Sequence, residues 1–510
     1  MARTATRVAQ GPLVSDAANA DAITEFKQIL DRVNFSGAGV PTALGTPVTP
    51  GRFHYRDDLP LYLRRVVAPT AINTLVKLFV LDQWVDETAV RAAVAPLDIV
   101  DLCALGLVEN DTRGVHGRVR LSGYRDLVLA HDRYDEHAPS LSHDYVLDVN
   151  PTTVTLTNLL VQRPARTALD IGTGCGVLAL LLAAHSERVV AIDTNPRALS
   201  FAAFNARLNG RAHVVECRLG SLFEPVAGER FDLIACNPPY VISPDSRYIF
   251  RDGGRRGDAL CAEIARSMPE HLENGGFASM LCNWGLPAGE RDWSAPVRAW
   301  VEGTGCDAWL LHGSTQDPLA YAALWNRSRD AGAYAAALDR WTAYFDELGF
   351  ASLAHGAIVM RRRDSTHTWV RADKLPDGPL DLGSAHIQRI FETETYLSSV
   401  PDDRALLQVA FRTTTDHRLD QQWALRDGEY ALEYAAVELD AGLRFQGTVD
   451  PYTTHLLARC NGRRTLGAIA AELTEKGGLA GDKAEASCAA VARKLASLGF
   501  LIPVGSIRRS

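Results

Sequence analysis

The hydrophobic and polar positions in the middle of this chain follow two different periods. Short apolar runs of strand length end at Asp170, Asp193 and Cys236, and the first two are followed by apolar positions at helical spacing, in 178–184 and 198–206. Apolar strands that alternate with helical segments are typical of units whose strands pair in parallel. The pattern therefore predicts an α/β fold around a parallel sheet.

The regions on either side of this core are mainly helical by the same test. In the first region, the predicted helices and two wing strands lie at 21–33, 71–81, 87–95, 97–105, 115–121 and 126–130. In the second region, the predicted helices and a final strand lie at 451–459, 466–475, 483–498 and 499–502. Helices followed by a wing are the order of winged-helix domains, so both flanks are predicted to be winged-helix-like.

A length of 510 residues indicates several domains rather than one. The predicted parts are a disordered tail, a helical winged-helix-like domain, an α/β domain, a linker rich in Pro, Gly and Asp, and a second helical winged-helix-like domain. Their predicted boundaries are 1–20, 21–143, 144–363, 364–383 and 384–510.

Composition and charge narrow the class of protein. The net charge of −8 argues against a surface that coats nucleic acid, and the third helix of the first flank carries Asp98 and Asp101 but no Lys or Arg. Nine cysteines without a Cys-x-x-Cys pair predict a reducing, cytoplasmic location. The histidines show no metal-ligand spacing, and the sequence lacks an apolar run of membrane-spanning length. We therefore expect no metal and no membrane partner.

A glycine turn follows the first core strand. Gly172, Gly174 and Gly176 stand at every second position between the strand and the next helix, which lets the chain reverse sharply and lets its backbone approach a ligand. A dinucleotide fingerprint would require its third glycine where Val177 stands. Asp193 ends the adjacent strand, where its two oxygens could accept from both hydroxyls of a ribose. The spacing predicts a nucleoside-type cofactor other than a nicotinamide dinucleotide.

A second motif, Asn237-Pro-Pro-Tyr240, follows the strand that ends at Cys236. Each residue before a proline is pushed into an extended conformation, so Asn237 and Pro238 are both held extended. The Asn237 side-chain oxygen and the Pro238 carbonyl could then accept from one planar –NH2 group, while Tyr240 would form a wall against it. Such an arrangement favours chemistry at an amide or amino nitrogen.

These motifs resemble those of known enzymes. The loop from Asp170 to Gly176 resembles the Asp-x-Gly-x-Gly-x-Gly loop of class I S-adenosylmethionine (SAM) methyltransferases. The Asn-Pro-Pro-Tyr motif is similar to that of HemK-type protein-glutamine N5-methyltransferases and of amino-directed N-methyltransferases of nucleic-acid bases. Further matching segments are Leu222–Pro225, Arg251–Gly254 and Leu272–Ser279, and the resemblance covers 144–363.

The resemblance implies a Rossmann-like seven-stranded sheet and SAM as the cofactor, with Asp170 facing the methionine ammonium. By position, the implied cofactor-binding residues are Asp170, Gly172, Thr173, Gly174, Cys175, Gly176, Asp193, Thr194, Ser221, Leu222 and Asn237. The implied catalytic residues are Asn237, Pro238, Pro239 and Tyr240. Many relatives carry an acid for the adenine amine where this chain has Arg218 to Ser221, so Ser221 or a backbone group must serve instead.

The sequence therefore predicts a SAM-dependent N-methyltransferase that acts on an amide or amino nitrogen of a protein, peptide or small molecule. Two alternatives stay open. One is an rRNA or DNA base N-methyltransferase with the same core, and the other is a non-catalytic SAM-binding scaffold or regulator. Oligomeric state and the identity of the acceptor are not encoded in any recognisable motif.

Overall fold

The computed structural model describes residues 13, 19–46, 58–133, 141–328, 330–365, 367–378, 380–477 and 481–505. Most of the predicted tail, 1–12 and 14–18, lies outside the described residues. The chain divides into two compact units. The first comprises Met1–Thr157, Pro164–Thr304 and His312–Arg362, and the second comprises Asn158–Arg163, Gly305–Leu311 and Arg363–Ser510.

The first unit begins with a helical region. Its helices are α1 (Ala20–Arg32), α2 (Gly39–Leu44), α3 (Leu59–Arg65), α4 (Ala71–Phe79), α5 (Glu87–Val94) and α6 (Ile99–Ala104). Its strands are β1 (Val108–Asp111), β2 (Gly114–Gly117), β3 (Val119–Tyr124) and β4 (Leu127–Asp132). The helices predicted from the apolar spacing are confirmed within a few residues at each end.

The predicted wing is wrong in its pairing. The stretch 115–121 does not form one strand, because Val115 pairs with Asn110 of β1 whereas Leu121 pairs with Ala130 of β4. The chain changes partner at Arg118, whose backbone N–H bonds to the Leu107 carbonyl. Two hairpins therefore replace the single two-stranded wing, and winged-helix membership stays a prediction.

Several acidic side chains of this region cap the starts of helices. Asp86 caps α5, and Asp98 caps α6 by accepting from the backbone N–H of Val100. Asp101 accepts in return from the Asp98 backbone N–H at 2.8 Å, which completes a capping box. Such boxes satisfy N–H groups that a helix leaves free at its start. The carboxylates of Asp98 and Asp101, which disfavour phosphate binding by α6, therefore stabilise this helix.

The rest of the first unit is an α/β sheet. Its elements are α7 (Pro151–Leu159), β5 (Ala165–Ile171), α8 (Val177–Leu182), β6 (Ser186–Asp193), α9 (Pro196–Leu208), β7 (Val215–Leu219), β8 (Phe231–Cys236), α10 (Ala259–Ser267), β9 (Leu272–Pro287), α11 (Ala295–Val301), β10 (Cys306–Gln316), α12 (Pro318–Trp325), α13 (Ala331–Leu348) and β11 (Phe350–Arg362). β10 begins in the second unit and ends in the first.

In the strand order, β5 lies between β6 and β8, with β7 beyond β6 and with β9, β11 and β10 beyond β8. β5, β6, β7, β8 and β9 run parallel, and β11 is antiparallel to β9. This confirms the predicted α/β class. In such a sheet, the crevice beside the central strand, where the order of strands reverses, is the usual place for a ligand.

The second unit holds β12 (Val370–Lys374), α14 (Ser384–Ser398), α15 (Asp403–Leu406), β13 (Ala410–Thr413), β14 (His417–Arg426), β15 (Glu429–Leu439), β16 (Gln446–Thr448), α16 (Pro451–Arg459), β17 (Asn461–Thr465), α17 (Leu466–Gly477), α18 (Gly481–Ser497) and β18 (Leu501–Pro503). β12 lies within the predicted linker and neighbours β10, so the sheet has eight strands rather than seven. The helices α16, α17 and α18 are confirmed, whereas the three-stranded sheet β14-β15-β16 was not anticipated.

Among the helices of the described residues, none is long and apolar enough to cross a membrane.

Candidate active site

A cavity of about 340 Å³ lies where the central strands end. Ile171 at the end of β5 pairs with Ile192 of β6 and with Cys236 of β8, so the loops after all three strands start at one edge of the sheet. The cavity volume is within the usual range for small-molecule sites. The fold therefore brings the glycine loop, the Asp193 turn and the Asn-Pro-Pro segment to one place.

Most of the predicted site residues line this cavity. They are Gly172, Thr173, Gly174, Cys175, Asp193, Thr194, Ser221, Leu222, Asn237, Pro238 and Pro239. Asp170, Gly176 and Tyr240 are not part of the lining. Asp170 lies beneath the glycine loop, Gly176 is part of that loop, and Tyr240 packs behind the Asn-Pro-Pro segment.

The glycine loop takes a conformation that favours glycine at each of its three positions. Gly172, Gly174 and Gly176 have φ values of 72°, 55° and 88°. A Cβ on Gly176 would lie 3.0 Å from the Ala202 Cα, whereas a Cβ on Gly174 would meet nothing within 4 Å. Gly176 thus permits close packing of the loop on α9, and Gly174 leaves open space on the cavity side.

Asp170 lies fully buried under this loop. Its Oδ2 accepts from the Thr173 hydroxyl at 2.6 Å and from the Ala179 backbone N–H at 3.0 Å, while its Oδ1 has no hydrogen-bond partner among the described residues. Burial, with a smaller contribution from Asp193, raises the pKa of this carboxyl to about 7 although both hydrogen bonds oppose the shift. The unpartnered oxygen is an acceptor that a cationic or N–H-bearing ligand would satisfy.

Asp193 is held by the backbone around it. Its Oδ2 accepts from Gly174 N–H and its Oδ1 accepts from Asn195 N–H, both at 2.9 Å. Burial raises the pKa of Asp193, and these backbone hydrogen bonds oppose the shift. Each oxygen keeps a lone pair, so the predicted pair of ribose hydroxyls has two acceptors available. Asn195 caps α9, because its side-chain oxygen accepts from the Arg197 backbone N–H.

Asn237 lines the cavity and has a buried side-chain oxygen. Its Oδ1 has no partner in the part of the chain that the structure describes, and its Nδ2 donates to the Thr153 Oγ1 at 3.4 Å. The neighbouring Pro238 carbonyl already accepts from the Tyr240 backbone N–H at 2.7 Å, in a tight turn. One lone pair of the Pro238 oxygen is therefore used within the motif, and one is left.

Tyr240 packs away from the cavity. Its ring lies 5.3 Å from the His355 ring, and it packs against a core cluster that contains Trp341 and Phe345. Burial raises the pKa of the Tyr240 hydroxyl to about 12, against a hydrogen bond with Thr152 that lowers it. The phenol is thus neutral at physiological pH and braces the motif from behind.

The sequence reasoning missed an aromatic wall of the cavity. Tyr248 and Phe250 stack at 5.3 Å with an interplanar angle of 16°, and Tyr145 meets Phe250 edge-on at 6.2 Å. The segments that carry them are joined by a hydrogen bond from Ile249 N–H to the His143 carbonyl. The aromatic residues Tyr145, Tyr248 and Phe250 were the available signal, but only the fold brings them together.

Another part of the cavity lining is supported by the helical region. Asp148 lines the cavity, and its Oδ2 accepts from the Ser122 hydroxyl of β3 at 2.8 Å. Asp132 at the end of β4 accepts from Val146 N–H and forms a two-pronged ion pair with Arg197 of α9. The N-terminal hairpin thus fixes the 146–149 segment through side-chain hydrogen bonds that local sequence patterns do not reveal.

The residues present fit SAM. The cavity offers an open glycine loop and the Asp193 carboxyl, and beneath the loop Asp170 has an orphaned carboxylate oxygen. These groups suit a ligand with a ribose and a cationic amino acid end. Within the described residues, no cluster of His, Cys, Asp and Glu that could hold a metal ion is found.

Comparison with known proteins agrees with this geometry. Residues 142–291 match the family model of the methyltransferase small domain, and residues 32–118 match that of a domain of unknown function. A release factor glutamine methyltransferase of Xylella fastidiosa is 36% identical over 156 residues, which cover 27% of this chain and 56% of the relative. A ribosomal protein uL3 glutamine methyltransferase of Bradyrhizobium diazoefficiens is 37% identical over 129 residues, 23% of this chain and 40% of the relative.

A chain of Methanocaldococcus jannaschii, named for protein N5-glutamine methyltransferase activity, is 30% identical over 146 residues, which cover 27% of this chain and 73% of the relative. This chain spans about half the length of the first bacterial relatives that it matches. Residues 142–291, which match the family model of the methyltransferase small domain, contain the glycine loop, Asp193 and the Asn-Pro-Pro-Tyr motif. The chain therefore belongs to the HemK-type family of class I SAM-dependent methyltransferases.

Proposed function

We propose that this protein transfers the methyl group of SAM to the side-chain amide nitrogen of a glutamine in a protein. The observation that carries the proposal is the Asn237 Oδ1, the buried side-chain oxygen of a residue that lines the cavity, which has no partner in the described chain. A buried polar atom that lacks a partner costs free energy of about 1–3 kcal/mol. An –NH2 group of an acceptor would satisfy it.

The cofactor would be held by the residues around the glycine loop. Asp170 supplies negative charge beneath the loop for the cationic amino acid end, and Asp193 accepts from the ribose hydroxyls. Ser221 and Leu222 line the cavity, and we expect them to contact the adenine. Leu222 has a φ of 49°, an unusual conformation that turns the backbone at this point.

For the chemical step, the protein mainly has to orient the acceptor nitrogen. SAM would supply a methyl group bound to a positively charged sulfur, and this sulfur is a good leaving group. The amide nitrogen forms a bond to the methyl carbon, the carbon–sulfur bond breaks with its electrons going to sulfur, and one N–H proton is released. Asn237 Oδ1 and the remaining lone pair of Pro238 oxygen would accept from the two N–H groups and orient the nitrogen.

Two further points support a protein acceptor. The relatives are named for methylation of a release factor, of a ribosomal protein and of protein glutamine in general. Asp98 and Asp101 on α6 would repel a phosphate backbone, which disfavours the nucleic-acid alternative. We propose that the N-terminal region, whether winged-helix-like or not, docks the acceptor.

All nine cysteines are free thiols, which suits a cytoplasmic enzyme.

The test is an assay with methyl-labelled SAM and a fractionated cell extract. Label in the protein fraction, located on glutamine by mass spectrometry, is the expected result, and Asn237→Ala should abolish it while the dissociation constant for SAM stays within about twofold. Label in RNA or DNA, with binding that weakens steeply as salt is added, would instead support a base methyltransferase. A cellular function that survives Asn237→Ala would support a scaffold.

A further inference from the structure

We propose that Asn150 and Thr153 are positioning residues that fix which end of the Asn237 amide faces the acceptor. The three side chains form a hydrogen-bonded series in which each proton has one permitted direction. This inference rests on the proposed function, because it explains how Asn237 presents an oxygen rather than an –NH2 group. An amide side chain can turn over by rotation of its last bond, so its orientation requires a cause.

The series starts from a group that can only donate. The backbone N–H of Thr153, in the first turn of α7, lies 2.9 Å from the Asn150 Oδ1. Because a backbone N–H cannot accept, Asn150 must point its oxygen at this position. The Thr152 hydroxyl also donates to this oxygen, at 2.7 Å. The orientation of Asn150 is thus determined by the start of the helix, where such side chains commonly satisfy free N–H groups.

The Asn150 oxygen then decides the direction of the Thr153 hydroxyl. Thr153 Oγ1 lies 3.1 Å from the Asn150 Oδ1, and since that oxygen can only accept, the hydroxyl proton must point towards it. A hydroxyl has a single proton. Thr153 therefore turns only lone pairs towards Asn237.

The last step follows from the same rule. Thr153 Oγ1 lies 3.4 Å from the Asn237 Nδ2, which donates to it. If the Asn237 amide turned over, its oxygen would face lone pairs at that distance and its –NH2 group would take the buried position of Oδ1. The length of the contact indicates a weak hydrogen bond, so its main effect is to reject the reversed amide. Only the observed orientation leaves an acceptor for the substrate –NH2 group.

The burial of these groups strengthens the effect. Thr153 is 6% exposed, and the Asn237 Oδ1 is buried with no partner in the described part of the chain. Once an acceptor occupies the cavity, water is not available to compensate a wrong orientation. A reversed Asn237 would direct two N–H donors at the donor –NH2 group of a glutamine, and the acceptor would be repelled. The series therefore selects for acceptors that present N–H groups.

The experiment compares Thr153→Val, which keeps the shape and removes the hydroxyl, with Thr153→Ser, which keeps the hydroxyl. We expect Thr153→Val to lower kcat by about tenfold while the dissociation constant for SAM stays within about twofold, and Thr153→Ser to keep most of the activity. Thr155→Val is the matched control on α7, since its exposed hydroxyl bonds to the Pro151 carbonyl, and it should leave kcat unchanged.

A spectroscopic measurement tests the series without any acceptor. In the full chain labelled with nitrogen-15, the side-chain –NH2 signals of Asn237 are assigned by their loss in Asn237→Asp. Thr153→Val should shift one of the two proton signals and speed its exchange with solvent, whereas Thr155→Val should change neither. Unchanged Asn237 signals, or a wild-type kcat in Thr153→Val, would overturn the inference. An absence of methyl transfer by the wild-type enzyme to any acceptor would count against the proposed function alone, because the signals still decide the series.

Discussion

The Thr173 hydroxyl donates a 2.6 Å hydrogen bond to the Oδ2 of Asp170, and the other oxygen of that carboxyl is left without a partner in the described structure. The loop and the strand it follows are thereby joined under the cavity floor. The carboxyl is also fully buried, and its pKa is raised to about 7. Its charge therefore changes within the physiological range, which has consequences for cofactor binding.

The first prediction concerns the pH dependence of SAM binding. Above about pH 7, Asp170 is ionised and attracts the cationic ligand; below it, the carboxyl is neutral and the attraction is lost. We expect the dissociation constant for SAM to rise by up to about tenfold for each pH unit below 7, as linkage requires. Calorimetric titration between about pH 5.5 and pH 8.5 measures this. In Asp170→Asn, binding should be weaker at pH 8 and should lose this pH dependence.

The same group predicts a change of stability in the cofactor-free protein. Its folded-state pKa lies above the unfolded value, so ionisation opposes folding, and stability falls as the pH rises from about 4 to about 7. We expect the Tm of Asp170→Asn, relative to the wild-type Tm, to increase over this range. A difference in Tm that is constant with pH would show that Asp170 does not titrate in the folded protein.

A third prediction separates two glycines of the loop. Gly176→Ala places a Cβ 3.0 Å from the Ala202 backbone at a φ of 88°, whereas Gly174→Ala is strained in its φ of 55° but meets no atom within 4 Å. We expect Gly176→Ala to lower stability by about 2–3 kcal/mol, and Gly174→Ala by about 1 kcal/mol. Chemical denaturation measures both. Gly174→Ala should still weaken SAM binding more than this loss of stability explains, because its Cβ enters the cavity side.

The parts of the site that the sequence predicted are those built from consecutive residues. The glycine loop and Asn237 directly follow core strands, and Asp193 ends one. Parallel pairing brings strand ends together without further information. The apolar run 231–236 is β8 to the residue. Motifs at strand ends are therefore predictable from periodicity and local conformational preference alone.

What the sequence did not reveal depends on long-range partners. Asp148 meets Ser122, and Asn237 meets Thr153, across 26 and 84 positions of chain. Polar residues of these types are common on surfaces, and no local pattern marks the few that meet inside a fold. The division of 115–121 between two hairpins has the same origin, because the choice of partner strand is made by packing. The motif predicted that Tyr240 forms a stacking wall, but its ring packs against core residues behind the cavity.

A fourth prediction concerns the loop that carries Tyr248. Asp245 accepts from the Trp341 indole N–H at 3.0 Å, so α13 holds this loop in place, and an exposed Arg340 also pairs with Asp245. We expect Asp245→Ala to lower kcat/KM for the acceptor by about tenfold through the loss of a partly buried hydrogen bond. Arg340→Ala removes only an exposed ion pair and should change kcat/KM by less than about threefold. Equal effects of the two variants would contradict the role given to α13.

The last prediction tests whether the helical region and the cavity fold as one unit. Asp132 is almost fully buried, and both of its oxygens pair with the Arg197 guanidinium while Oδ2 also accepts from Val146 N–H. Asp132→Ala would leave that N–H unsatisfied and Arg197 without its partner, although Arg197 is partly exposed and can recover some hydration. We therefore expect a loss of about 2–3 kcal/mol, at the low end for a broken buried pair. Because Val146 lines the cavity, SAM binding should weaken together with stability. A variant as stable as the wild type, or one with normal SAM affinity, would show that the cavity is independent of this contact.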